Sequence, residues 1–283
     1  MTLTATDLVL CSGTLPFDTP LETRIEAAAA GGFAGLSLWM RDVERARAEG
    51  RTDADIRAMF AHHGIEVAEL DPVWSWLPGT DVDVPPAQDP FGVLQPTIDD
   101  FLRLADAIGG RSLNAVDIMA GDWTLDDAAE AFAALCDRAA DHGLLVHLEF
   151  LPWSRLGDVA TADDVVRRAD RPNGGLMVDS WHFFRGVPDF AALRAVPGGR
   201  IMGIQFNDAP RQPGPDLLVE SMDARLLPGE GEMDLARLVG VLDEIGAVAP
   251  RGVEVFSAVL RDLDAVDVGR RAGDAIRTVL RGA

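Results

Sequence analysis

The sequence contains no lysine: all 25 of its basic residues are arginine. A lysine Schiff base and a lysine-dependent phosphate-binding P-loop are therefore excluded. Positive charge is scarce overall, since 46 acidic residues give the chain a formal net charge of −21. A surface this acidic repels the phosphates of nucleic acids and of anionic membranes, so we expect neither as a partner.

Cysteines and long apolar runs are also scarce. Cys11 and Cys136 are the only two cysteines, too few for a disulfide framework or a cysteine-rich zinc site. No stretch of about 18 apolar residues occurs that would predict a membrane span. Residues 1–10 also lack the basic start of a signal peptide. We therefore expect a cytoplasmic protein.

Eight short apolar runs alternate with amphipathic stretches along the chain. The apolar runs predict strands at 8–15, 35–39, 65–70, 113–119, 144–151, 175–180, 201–206 and 252–256. The intervening stretches predict helices at 20–30, up to 64, 97–108, 125–141, 162–169, 190–196, 235–245 and 266–280.

Eight strand–helix units predict parallel strands joined by helical crossovers, which is the α/β class. Their even spacing favours a single (β/α)₈ TIM barrel, as one domain over residues 1–283. The alternative, an open doubly wound sheet, usually has a glycine-rich phosphate turn after its first strand. Residues 11–16 read CSGTLP and contain no such turn.

Two connections, 71–93 and 207–232, are too long for simple turns. Both follow predicted strands and so lie at the carboxyl end of the barrel, where enzymes of this fold keep their active sites. We expect both loops to be functional, the alternative being plain surface insertions.

Polar side chains stand near the ends of the last four predicted strands. Glu149, Asp179, Gln205 and Glu254 occupy similar heights on strands five to eight. Buried carboxylates must be paired or coordinated, and a divalent cation is the simplest compensation for three of them. Three carboxylates and a carboxamide oxygen suit Mn²⁺ or Mg²⁺ and tolerate Co²⁺ or Zn²⁺. The alternative is four separate residues in ordinary salt bridges.

The second half of the chain contains five short stretches in a fixed order: HLE from 147, VDSWH from 178, QFNDAP from 205, LPGEGE from 227 and GVEVF from 252. Together they resemble the xylose isomerase-like TIM-barrel superfamily. That superfamily includes sugar phosphate isomerases and epimerases, inosose dehydratases and 3-dehydroshikimate dehydratases. The resemblance implies one divalent metal ion on Glu149, Asp179, Gln205 and Glu254. The sequence departs at Gln205, where most relatives have histidine and some dehydratases have glutamine. Relatives are often dimers or tetramers, which makes a homodimer or homotetramer the expected assembly.

Four further side chains are candidates for binding substrate. By resemblance, His182 in the D-x-x-H stretch and Arg225 contact substrate oxygens; the alternatives are a capping or stacking histidine and a solvated arginine. His147 should share the inward face of Glu149, either to bind substrate or to bond a neighbouring strand. Trp181 belongs to a set of tryptophans near strand ends that suits a sugar or cyclitol ring, or simple packing.

The predicted chemistry is proton transfer next to a carbonyl group. A metal ion holding a C=O and an adjacent OH acidifies the neighbouring C–H, and Glu149 and Glu254 are the candidate acid/base pair. Through an enediolate this gives an isomerase or epimerase of a polyhydroxylated small molecule: a sugar, keto-sugar or cyclitol. Expulsion of a β-hydroxyl instead gives a dehydratase of a ketocyclitol or 3-dehydroshikimate-like substrate, which Gln205 favours. A non-catalytic binding barrel is the third alternative.

Overall fold

Eight parallel strands pair in chain order and close into a barrel, because β1 pairs with both β2 and β8. The structure is a computed structural model that describes residues 3–80, 84–85, 89, 93–118 and 121–283. The strands are β1 (Leu8–Leu10), β2 (Gly35–Trp39), β3 (Glu66–Val73), β4 (Ser112–Val116), β5 (Leu145–Glu149), β6 (Gly174–Asp179), β7 (Ile201–Phe206) and β8 (Arg251–Val253). The predicted TIM barrel is therefore confirmed.

Helices surround the barrel and connect its strands. They are α1 (Leu21–Ala30), α2 (Met40–Ala48), α3 (Asp53–His63), α4 (Ile98–Ile108), α5 (Leu125–Ala140), α6 (Val159–Ala169), α7 (Ser180–Arg185), α8 (Phe190–Ala195), α9 (Leu217–Asp223), α10 (Leu235–Glu244), α11 (Ala258–Arg261) and α12 (Ala265–Gly282). Within the described ranges, no helix is both long enough and apolar enough to cross a bilayer.

The strands are apolar because helices cover the outside of the barrel and side chains fill its inside. Every residue of β6 and β7 is buried. Several helices begin with a capping box that contains an aspartate, and these aspartates account for part of the acidic composition. Thr52, Thr97 and Thr124 each form a capping box with an aspartate three residues later.

The predicted first and last strands are too long. β1 ends at Leu10, and a short 3₁₀ helix follows at Ser12–Thr14. The Thr14 hydroxyl donates to the Val253 carbonyl and accepts from the Val255 N–H, so a side chain replaces the strand ladder there. β8 consequently ends at Val253, and Glu254 lies just beyond it.

Other differences concern the connections. The predicted fourth strand, 113–119, ends at Val116, and residue 119 lies outside the described residues. The helical stretch predicted up to 64 is two helices, α2 and α3, separated by a turn in which Gly50 has φ +93°. Sequence patterning also missed the short helices α7 and α9, which are six and seven residues long. Helices this short give almost no periodic signal.

Candidate active site

A cavity of about 160 Å³ opens at the carboxyl ends of the strands. Four of the predicted site residues line it: Glu149, His182, Arg225 and Glu254. The volume is below the roughly 300–1,000 Å³ of pockets for drug-sized ligands, so the cavity suits a small molecule. A larger groove of about 1130 Å³ lies where the strands begin, and no predicted site residue lines it.

Glu149, Asp179 and His182 form a close polar cluster, of which Glu149 and His182 line the cavity. Glu149 is the last residue of β5, and Asp179 ends β6 and caps α7 by accepting the His182 N–H at 2.9 Å. This cap turns the His182 ring toward β5, with Nε2 3.3 Å from Glu149 Oε1. One ligand atom from each residue lies within 4.8 Å of the others, so the three could hold a metal ion.

Gln205 and Glu254 lie beside this cluster. The Gln205 Nε2 atom donates to Glu254 Oε1 at 3.3 Å and contacts Cys11 Sγ at 3.5 Å. The Gln205 Oε1 atom is buried and has no hydrogen-bond partner among the described residues. An unpaired buried oxygen is costly, and a cation would satisfy it. The cluster of Glu149, Asp179 and His182 fits a divalent ion.

Arg225 joins two of the predicted ligands. Its Nη1 atom donates to Asp179 Oδ2 and to Glu254 Oε2, both at 3.2 Å. Its Nε and Nη2 atoms donate to the carbonyl and hydroxyl oxygens of Ser221, both at 2.8 Å. The side chain is only 2% exposed. The solvated-arginine alternative therefore does not describe this residue.

The two predicted acid/base residues have environments that shift their pKa values in opposite directions. Burial raises the pKa of Glu254 well above its usual value, against the opposing effect of Arg225. Burial acts in the same sense on Glu149, but hydrogen bonds with His182 and Asn114 outweigh it and leave the pKa of Glu149 below its usual value. Carboxyl groups with separated pKa values are typical of acid/base pairs.

His147 and Trp181 do not line the cavity. His147 is fully buried in the barrel, with Nδ1 2.9 Å from Asn114 Oδ1 and Nε2 3.0 Å from Ser112 Oγ. Burial lowers the pKa of His147 to about 3, which keeps the ring neutral. Trp181 is also fully buried, and its ring lies 5.2 Å from the guanidinium carbon of Arg225. Both residues therefore contact residues of the site but do not themselves line the cavity.

Sequence reasoning missed three polar residues that contact the site. Asn114 donates to Glu149 Oε2 at 2.7 Å, and Asn207 donates to Asp179 Oδ2 at 2.7 Å. Asp71 lines the cavity from the end of β3, and burial raises its pKa well above the usual value. The signal was the same as for Glu149: a polar residue at the carboxyl end of an apolar strand.

The two long loops reach the cavity. Asp71 and Pro72, which the structure assigns to β3, and Val93 line it from the predicted connection 71–93, of which residues 81–83, 86–88 and 90–92 lie outside the described residues. The loop 207–232 contains α9 and contributes Met222 and Arg225 to the lining.

Comparisons with known proteins find relatives of two kinds. The chain is 29% identical over 277 residues to a 3-dehydroshikimate dehydratase of Pseudomonas aeruginosa, covering 96% of this chain and 40% of that protein. It is 29% identical over 155 residues to an inosose isomerase of Bacillus velezensis, covering 54% of each. The chain spans about 40% of the length of the dehydratases it matches.

Solved structures share the fold. The crystal structure of the IolI protein with a binding zinc atom superposes with a TM-score of 0.83 at 20% identity, covering 98% of this chain and 99% of that one. The family described as the xylose isomerase-like TIM barrel matches residues 25–279. With its closed barrel and its carboxylates at the strand ends, the chain belongs to the xylose isomerase-like TIM-barrel family.

Proposed function

We propose that this chain is a divalent-metal-dependent isomerase or epimerase of a neutral keto-polyol, either a sugar or a cyclitol. The observation that carries the proposal is the convergence of Glu149, Asp179 and His182, whose ligand atoms lie within 4.8 Å of one another. Glu149 and His182 also line one small cavity together with Glu254. The relatives named inosose isomerase and 3-dehydroshikimate dehydratase support proton chemistry on a cyclic ketone.

Glu149, Asp179, Gln205 and Glu254 would hold the metal ion. Their oxygen donors favour Mn²⁺ or Mg²⁺, and the neighbouring His182 ring makes Zn²⁺ or Co²⁺ the alternatives. When bound, the cation supplies a Lewis acid that polarises the substrate carbonyl. The unpaired Gln205 Oε1 supports this assignment independently of the three carboxylates.

The protein's own groups move the proton. Glu149 and Glu254 come from β5 and from just beyond β8, and both line the cavity. In the proposed reaction one carboxylate removes the proton next to the carbonyl and the other returns it. Return to the opposite face gives epimerisation, and return to the adjacent carbon gives isomerisation. His182, beside Glu149 Oε1, is placed to bond a substrate oxygen.

The charges of the cavity favour a neutral substrate. Among the described lining residues Arg225 is the only arginine, and Asp179 and Glu254 already neutralise it. The sequence has no lysine, and the residues outside the described ranges contain no arginine. Trp39 and Phe256 stack 6.1 Å apart and supply an apolar wall for the C–H face of a ring.

A dehydratase is the second candidate. The two matched relatives that cover 96% of this chain are both named 3-dehydroshikimate dehydratase, and Gln205 resembles the dehydratase branch. Expulsion of a β-hydroxyl would follow the same proton removal. Apart from the proposed cation, however, the described lining offers a substrate carboxylate no cationic side chain other than the already paired Arg225.

The experiment is incubation with Mn²⁺ in D₂O, using neutral ketoses, an inosose and 3-dehydroshikimate as separate substrates. Deuterium in an isomerised neutral product supports the proposal, and a new conjugated product from any substrate supports the dehydratase. Glu254→Gln is the control, since neither reaction should survive it. Metal binding without either reaction would contradict both and favour a binding barrel.

A further inference from the structure

A row of hydrogen-bonded side chains runs inside the barrel and ends on Glu149. Ser112 and Asn114 come from β4, and His147 and Glu149 come from β5. All four are at least 95% buried. The strands align Ser112 with Leu145 and Asn114 with His147, so alternate residues of both strands face inward at successive heights. The row therefore follows from the register of β4 and β5.

The chemistry of the groups fixes the direction of each hydrogen bond. Glu149 Oε2 lies 2.7 Å from the Asn114 side chain and, as a carboxylate oxygen, accepts, so the Asn114 amide must present Nδ2 to it. Asn114 Oδ1 then points at His147 Nδ1, 2.9 Å away, and can only accept. His147 therefore carries a proton on Nδ1.

Ser112 lies at the end of the row that is farthest from Glu149. A neutral His147 with its proton on Nδ1 has an acceptor at Nε2, 3.0 Å from Ser112 Oγ, but the single Ser112 hydroxyl proton also faces the Ala68 carbonyl oxygen at 3.2 Å. Glu69 Oε1 is 3.9 Å from Nε2, beyond hydrogen-bond distance. The donors thus run from His147 to Asn114 and from Asn114 to Glu149.

We propose that His147 is a positioning residue for the metal site, acting on Glu149 through Asn114. His147 adds a second bond that holds the Asn114 oxygen away from the Glu149 carboxylate, and without it only Glu149 itself orients the amide. With His147 in place, Oε2 is held by Asn114 and Oε1 stays on the side of His182 and Asp179. The inference rests on the proposed function, because it assigns Glu149 to the cation.

The first test is Mn²⁺ affinity, measured by titration calorimetry on the purified full chain. His147→Leu removes the donor and is expected to weaken Mn²⁺ binding by about 10–100-fold, as loss of such supporting bonds does in other metal sites. His147→Asn keeps an N–H group near the Nδ1 position and is expected to restore near wild-type affinity. Unchanged affinity in folded His147→Leu overturns the positioning role.

A double-mutant cycle separates positioning from general destabilisation. In an Asn114→Ala background, His147 has no Asn114 amide to orient. His147→Leu is therefore expected to add no further loss of Mn²⁺ affinity there. Independent, additive losses would mean that His147 acts through the barrel as a whole, and would overturn the inference. Circular dichroism and urea denaturation show whether each variant is folded.

The tautomer of His147 gives a test that needs neither metal nor variant stability. Nitrogen NMR of histidine-labelled wild-type protein is expected to show a neutral ring protonated at Nδ1. A ring protonated at Nε2 overturns the positioning role alone. A wild-type chain that binds no Mn²⁺ instead overturns the proposed function, so the two failures are distinguishable.

Discussion

Arg225 bonds two largely buried carboxyl groups beside the cavity, and its removal has a calculable cost. Its Nη1 atom serves Asp179 and Glu254 at once, both at 3.2 Å, and the side chain is 2% exposed. Removing one partner of a buried ion pair costs about 3–5 kcal/mol, because the remaining charge stays buried without compensation. We expect Arg225→Met to lower the free energy of unfolding of the metal-free protein by this amount.

Urea denaturation in the presence of a chelator measures the effect. Arg270→Met is the matched control, because Arg270 pairs with Asp267 on the surface and its loss should cost no more than about 1 kcal/mol. Mn²⁺ should stabilise Arg225→Met more than the wild type, since the cation becomes the main countercharge for the carboxylates. If Arg225→Met loses no more than the control, Asp179 and Glu254 need no countercharge and the electrostatic reasoning is refuted.

Three further variants test the site. Glu254→Gln is expected to abolish turnover and weaken Mn²⁺ binding, because it removes a ligand charge and an acid/base group; a wild-type kcat would contradict both roles. Gln205→His is expected to tighten Zn²⁺ and Co²⁺ binding in calorimetry, since imidazole suits these metals better than an amide oxygen; unchanged affinity would mean that residue 205 does not contact the cation. Glu69→Gln is expected to reduce the pH dependence of stability. Burial raises the pKa of Glu69 from 4.5 to about 7, so the folded state holds this proton more tightly than the unfolded state does. The free energy of unfolding of the wild type should therefore fall by about 3 kcal/mol as the pH rises from about 4.5 to about 7. Urea denaturation with a chelator present should show no such fall in Glu69→Gln. Parallel pH profiles for the two proteins would refute the assignment.

The barrel could be predicted because its signal is local and repeated. Each strand is a short apolar run between helical stretches, and eight such units leave few topologies. Strand ends were less predictable, since they depend on contacts between distant residues. β8 ends early because Thr14, 241 residues from Val255, takes the place of a strand partner. No pattern within residues 252–256 carries that information.

The polar cluster was predictable in part for a related reason. Glu149, Asp179 and Glu254 are ionisable residues in otherwise apolar runs, and the structure brings them to the same end of the barrel. Asn114 occupies the same kind of position on β4 but is neutral, so a search for buried charge passes over it. The contacts of Arg225 with Asp179 and Glu254 join residues 46 and 29 positions apart, which spacing alone does not pair.

The position of one further proton donor, Asp71, bears on the choice between the two proposed reactions. Epimerisation and isomerisation need only the two glutamates and a polarised carbonyl, whereas expulsion of a hydroxyl also needs a proton donor beside the leaving oxygen. Asp71 lines the cavity from β3, four strands from Gln205, and burial favours its protonated form by raising its pKa. A substrate whose β-hydroxyl faces Asp71 would meet such a donor, whereas one whose β-hydroxyl faces Trp39 and Phe256 would not. For the proposed function, the orientation of the ring relative to Asp71 would therefore help to distinguish isomerase from dehydratase chemistry.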